Sequence, residues 1–240
     1  MKKLIFHIGR PKTASTFLQN CVNSIINCEY IGVNYKKNKY NKRVKDLDEN
    51  YRAIFKPFRR DIYGGTRNYT KSMYVEVKKF AEQILERIEN NPEAKSIIIS
   101  DEAIGDYYNH TAEYNVALIN TIGNYIREKI GENKIKCCLS LTIRRQDNWL
   151  WSFFHHHHNL SGNFSKFIEE RMNRDEGVFS GLFYNECFLM YKLICDEKWS
   201  ISMVPFELLS EDGNVRKFII DTFRLNEDQV GDIILKEVNT

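Results

Sequence analysis

The chain is poor in the residues that interrupt or staple folds. Its 240 residues include only 4 prolines and 12 glycines, too few for a collagen-like, linker-rich or low-complexity organisation. The six cysteines, at 21, 28, 137, 138, 187 and 195, form no C-x-x-C pair. Cys137 and Cys138 are neighbours inside a strand-like segment, which is poor geometry for a disulfide framework, so a reducing, cytoplasmic setting is expected. Long apolar runs are missing as well. Residues 4–6 and 97–99 fall far short of the roughly 18 residues that span a bilayer, and no membrane-spanning helix is expected. Residues 1–9 have a basic flank, but their apolar stretch is too short for a signal h-region and reads as a first strand. Nor does one sign of charge dominate: 35 Lys and Arg face 32 Asp and Glu, a net charge of +3. The imbalance is local. Residues 36–60 hold ten basic and three acidic side chains, so this stretch carries +7 and the remainder about -4. Such a run is either a solvated face or a rim that attracts an anionic cofactor or acceptor. No recognised nucleic-acid module accompanies it, so nucleic acid is not an expected partner.

What the chain does contain is an ordinary globular mixture, 42% hydrophobic and 28% charged, with enough length for a sizeable core. Two periodicities alternate along it. Residues 3–9 are a short apolar run ending in Gly9, after which Phe17, Leu18, Cys21, Val22, Ile25 and Ile26 recur at helical spacing. Val77, Phe80, Ala81, Ile84, Leu85 and Ile88 mark an amphipathic helix, stopped by Asn90-Asn91-Pro92. A buried strand is expected over 96–100. Ile119, Ile122, Ile126 and Ile130 mark a helix ending near Gly131, and 135–143 alternates as a strand. Helices are expected from about Asp147, around Phe164, Phe167 and Ile168, and over 183–195. A strand over 199–204 and a last helix over 215–223 follow. Strands separated by helices of this length imply parallel pairing. The expected architecture is therefore an α/β fold, a single domain over 1–240 with a central parallel sheet flanked by helices on both faces. Residues 35–70 are its expected excursion.

Ligands in such sheets bind at the carboxyl ends of the strands, and the chemistry-bearing residues cluster at those ends. The first strand runs into Gly9-Arg10-Pro11-Lys12-Thr13-Ala14-Ser15-Thr16-Phe17 and then a helix. In that topology the amides of a helix N-terminus cradle a phosphate. Lys12 adds a point charge; Thr13, Ser15 and Thr16 add hydroxyl donors. It is not a Walker A loop, because G-x-x-x-x-G-K-[ST] requires a Gly where Pro11 stands. The strand over 135–143 ends in Arg144-Arg145 and continues to Ser152. A guanidinium there offers a bidentate fork to an anionic group and a hydroxyl in the helix's early turns offers a further donor, with Arg145 the alternative to Arg144. The strand over 96–100 ends in Asp101-Glu102, carboxylates that either cap the next helix or serve as a base. His7, just before the loop, is a rival base or a satisfied core residue. His155 to His158 cannot all face one ion from a helix, so no metal site is expected there.

His7-Ile8-Gly9-x-Pro11-Lys12-Thr13-Ala14-Ser15-Thr16-Phe17-Leu18-Gln19 resembles the 5′-phosphosulfate-binding loop of sulfotransferases that use 3′-phosphoadenosine 5′-phosphosulfate (PAPS), with Ala14 where the family usually has Gly. Arg144 and Ser152, eight positions apart, resemble that family's 3′-phosphate-binding pair. Residues 203–209 and 223–225 resemble its late strand, E-x-L turn and closing helix more loosely. The resemblance implies a P-loop-like domain that binds PAPS through Arg10, Lys12, Thr13, Ala14, Ser15, Thr16, Phe17, Arg144 and Ser152. It implies Lys12 at the leaving phosphate, Glu102 as base and no metal. The acceptor would be a small molecule or, with weak preference, a saccharide. Two alternatives stay open: a small-molecule kinase of the P-loop type, and a nucleotide-binding module without catalysis.

Overall fold

The computed structural model describes residues 1–9, 17–18, 21–22, 25–37, 43–47, 71–100, 112–158, 163–173, 199–212 and 215–231. Strand β1 (Lys2–Gly9) is followed by β2 (Cys28–Lys37), β3 (Arg43–Leu47), α1 (Lys71–Asn90), β4 (Ser96–Ser100), α2 (Ala112–Ile130) and β5 (Ile135–Ile143). Then come α3 (Gln146–His158), α4 (Phe164–Asn173), β6 (Trp199–Pro205), α5 (Glu207–Asp212) and α6 (Val215–Phe223). The strands form one six-stranded sheet in the order β3-β2-β4-β1-β5-β6. Every neighbouring pair is parallel except β2 with β3.

Strand alternation sends successive side chains of β1 into different cores. Leu4, Phe6 and Ile8 join the core that α1 and α2 cover, where Phe80, Ile84, Ile119, Ile122 and Ile126 pack. Ile5 joins the opposite core, with Phe17, Leu18, Cys21 and Val22 and with Phe218, Ile219 and Phe223 of α6. Helices thus cover both faces, as the apolar strands require. A separate cluster of Trp149, Phe154 and Phe167 joins α3 to α4.

The helix ends have identifiable partners. In the turn after α1 the Lys2 ammonium donates to the carbonyls of Pro92 and Ala94, both at 2.7 Å, tying that turn to the start of β1. Helix α2 stops at Gly131, whose φ of 105° suits a residue without Cβ, and the Gly131 amide donates to Arg127 O at 2.8 Å. Cys21, Cys28, Cys137 and Cys138 are free thiols. Among the described residues no helix is long and apolar enough to cross a membrane.

Two local expectations are corrected. The sheet reaches further than expected, because residues 35–37 and 43–47, assigned to an excursion, belong to β2 and β3. Lysine-rich strands interrupted by Gly32 carry no apolar alternation, and their pairing is set by β4 and by each other. Ile25 and Ile26 are not helical. Ile25 bridges to Val230, and Ile26 is an exposed turn residue next to Asn27, whose φ is 54°. The helical expectation over 183–195 lies outside the described residues.

Candidate functional site at the carboxyl edge of the sheet

The connection leaving β1 runs toward β2, whereas that leaving β5 runs toward β6 on the other side of the sheet. The adjacent carboxyl ends of β1 and β5 are therefore a topological switch point, the place where open α/β sheets bind ligands. Gly9, the last residue of β1, pairs with Thr142 of β5. The last residue of β1 and the end of β5 that leads into Arg144 therefore lie side by side.

Arg144 is half-buried, and its guanidinium lies over the Phe206 ring, 5.0 Å from the centroid. This stacking fits the planar cation to an aromatic face. The Phe206 amide donates to Ile143 O at 2.7 Å, so the exit of β6 is tied to the exit of β5. Arg145 does something else. It is exposed and pairs with Asp147 (Nη2 to Oδ2, 2.8 Å), while its backbone amide donates to Glu207 Oε1 at 2.8 Å. The Asn148 amide, and then Arg145, hold the Asp147 carboxyl below its usual range. Of the two arginines, Arg144 sits at the strand ends and Arg145 caps the helix start. Ser152 is half-buried in α3.

His7 is fully buried. Its Nδ1 shares a hydrogen bond with Ser100 Oγ at 2.8 Å and its Nε2 another with Thr142 Oγ1 at 2.9 Å. The ring meets Phe223 edge to face at 5.3 Å. Burial lowers its pKa from 6.5 to about 3, so the imidazole is neutral and one nitrogen donates while the other accepts. With both nitrogens engaged and no exposed surface, His7 is a satisfied core residue and not the base. Phe17 is helical and its side chain is buried in the second core. Arg10, Lys12, Thr13, Ala14, Ser15, Thr16, Asp101 and Glu102 lie outside the described residues.

The aromatic residues around Ser152 divide by exposure. Trp149 is buried, whereas Trp151 is 52% exposed and meets His155 at 4.4 Å and Phe164 at 5.1 Å, both edge to face. The run beginning at His155 is helical to His158, and among the described residues no three His, Cys, Asp or Glu side chains converge as metal ligands. Sequence reasoning missed the parts played by Ser100, Thr142 and Phe206. Each depends on strand register, which no local pattern announces. Glu207 was legible as part of a turn, but not as the acceptor for the Arg145 amide. Compared with family models and with curated proteins, the chain matches none.

Proposed function

We propose that the protein is a PAPS-dependent sulfotransferase that moves a sulfuryl group to a hydroxyl or amine of an acceptor. The observation that carries this reading is the pairing of Gly9 with Thr142. It makes neighbours of the strand ends from which the two segments that resemble the 5′-phosphosulfate and 3′-phosphate sites begin. A nucleotide with phosphates at both positions would engage both segments, whereas ATP has no 3′-phosphate for Arg144 and Ser152.

In this reading the amides and hydroxyls between Thr13 and Phe17 cradle the 5′-phosphosulfate, and Arg144 with Ser152 holds the 3′-phosphate. The acceptor oxygen attacks sulfur in line. A new S–O bond forms as the bond from sulfur to the bridging phosphate oxygen breaks, Lys12 neutralises the charge left on that phosphate, and Glu102 takes the acceptor proton. The products are the sulfated acceptor and 3′-phosphoadenosine 5′-phosphate. A transferred group with one negative charge needs less neutralisation than a phosphoryl group, so the proposed chemistry uses no metal. The preferred acceptor is an acidic saccharide. Strand β2 continues past its last β4 pair, Gly32 with Ser100, to form a ribbon with β3. The ribbon's sequence includes Lys36, Lys37, Arg43 and Lys45.

The test is a thermal shift with 3′-phosphoadenosine 5′-phosphate beside ADP and ATP with Mg²⁺, in the wild type and in Lys12→Ala and Arg144→Ala. At about 100 times its dissociation constant a ligand adds roughly 2.7 kcal/mol. Stabilisation by the 3′-phosphorylated nucleotide alone, lost in both variants, is expected. Preference for ATP with Mg²⁺ would replace this reading with a kinase. Glu102→Gln is expected to keep nucleotide binding and lose turnover; retained turnover removes Glu102 from the mechanism.

A further inference from the structure

One transverse row of the sheet is chemically unlike its neighbours. Gly32 pairs with Ser100, Ser100 with His7, His7 with Ser140 and Ser140 with Ser202. Five parallel strands thus contribute only small or polar residues to a single row. The row directly before it on the opposite face, Ile31, Ile99, Phe6, Leu139 and Ile201, is apolar throughout. In the row after it, the paired residues Ile8, Leu141 and Met203 are apolar. Parallel strands buried on both faces are normally apolar, so a polar row across them calls for a physical reason.

Part of the reason is internal. His7 satisfies Ser100 and Thr142, and Phe223 of α6 closes over its ring. Three hydroxyls remain: Ser140 Oγ, Ser202 Oγ and Thr222 Oγ1 are buried and have no hydrogen-bond partner among the described residues. Ser140 and Ser202 are register neighbours on adjacent strands. Thr222 is fully buried in α6 beside Phe223, and its helix packs on β1, β5 and β6. Burying a hydroxyl without a partner is unfavourable, and three such hydroxyls, two in the row and one on the helix packed over β1, β5 and β6, compound the penalty. Whatever satisfies them must donate as well as accept, must be neutral because no charged side chain belongs to the row, and must be small enough for a packed interior. Water meets all three conditions, and buried waters characteristically bond to polar groups left over in this way.

We propose that the protein binds ordered water in this layer, held by the hydroxyls of Ser140, Ser202 and Thr222 and extending the Ser100–His7–Thr142 network across β5 and β6 to α6. The site lies beneath the strand ends that lead into the loop after Gly9 and into Arg144. The bound water is a structural component that fixes those ends relative to α6. This inference does not depend on the nucleotide reading and stands or falls separately from it.

Two measurements on the full chain decide it. The first is ¹⁷O magnetic relaxation dispersion, which counts long-lived internal water. Loss of at least one such water is expected in the triple variant Ser140→Ala/Ser202→Ala/Thr222→Val; an unchanged count overturns the proposal. The second is the sign of the stability change in single variants. A hydrated layer predicts that Ser140→Ala and Ser202→Ala each lower Tm by about 2–4 °C, because a water loses a partner. A dry layer predicts a rise in Tm, because an unsatisfied hydroxyl has been removed, and that result overturns the proposal. If the triple variant does not fold, a high-resolution crystal structure of the wild type decides in its place: solvent density bridging Ser140 and Ser202 supports the site, and its absence refutes it.

Discussion

At the scale of single residues, His7 is a fully buried polar group engaged at both ring nitrogens. Burial holds its pKa down from 6.5 to about 3, which links folding to pH with a definite sign. Above 6.5 the imidazole is neutral in folded and unfolded chains alike and adds no pH dependence. As the pH falls below 6.5 the unfolded chain takes up a proton that the folded chain refuses, and stability is lost progressively until about 3. The slope in this window approaches about 1.4 kcal/mol per pH unit for one proton. Urea midpoints of wild type and His7→Asn, followed downward from neutral pH, should therefore converge as the wild type loses its neutral-pH advantage; parallel curves would mean that His7 is not held neutral. The same scale explains why Arg144 and Arg145, equal in sequence, differ in role. One residue of displacement turns Arg144 toward Phe206 and Arg145 toward Asp147.

At the scale of elements, α2 approaches the sheet at Gly123. A Cβ at that position would stand 2.3 and 2.7 Å from carbons of the Trp199 indole, closer than packed atoms tolerate. In an exposed helix Gly→Ala gains about 1 kcal/mol, whereas overpacking a core loses about 1–3 kcal/mol. The rigid indole makes the second effect win. Gly123→Ala is expected to lower the chemical-denaturation midpoint, and in a Trp199→Leu background the same change should be neutral or stabilising, a non-additivity that reports contact. Additive effects in the double-mutant cycle would show that the helix moves away instead. Sequence periodicity identified α2 correctly through Ile119, Ile122, Ile126 and Ile130, but its close approach at Gly123 was invisible because the partner lies on β6. Likewise the ammonium of Lys2 ties the start of β1 to the turn after α1, a contact between residues 90 and 92 positions apart that no window of sequence contains.

At the scale of the whole molecule, the two large cores share the central strands, whereas Trp149, Phe154 and Phe167 form a third cluster between α3 and α4. Elements that rest on a small separate cluster open at lower free energy than those in the main core. Native-state hydrogen exchange is expected to show amides of β1, β4 and β5 exchanging only through global unfolding and those of α3 and α4 exchanging earlier; equal protection would make the three clusters one cooperative unit. The alternation of strands and helices, the parallel sheet and the boundaries of β4, β5 and α6 were legible in the residues alone, because apolar spacing is local and repeats with the geometry of each element. The sequence also marked Gly9, Arg144 and Ser152 by resemblance. That β1 lies between β4 and β5, that β2 and β3 extend the sheet, and that His7 is a core residue follow from the assembled fold alone. The same holds for the row from Gly32 through Ser202. Strand order and register depend on pairings between residues far apart in the chain, so which polar groups meet, and which are left for water, is decided when those strands come together.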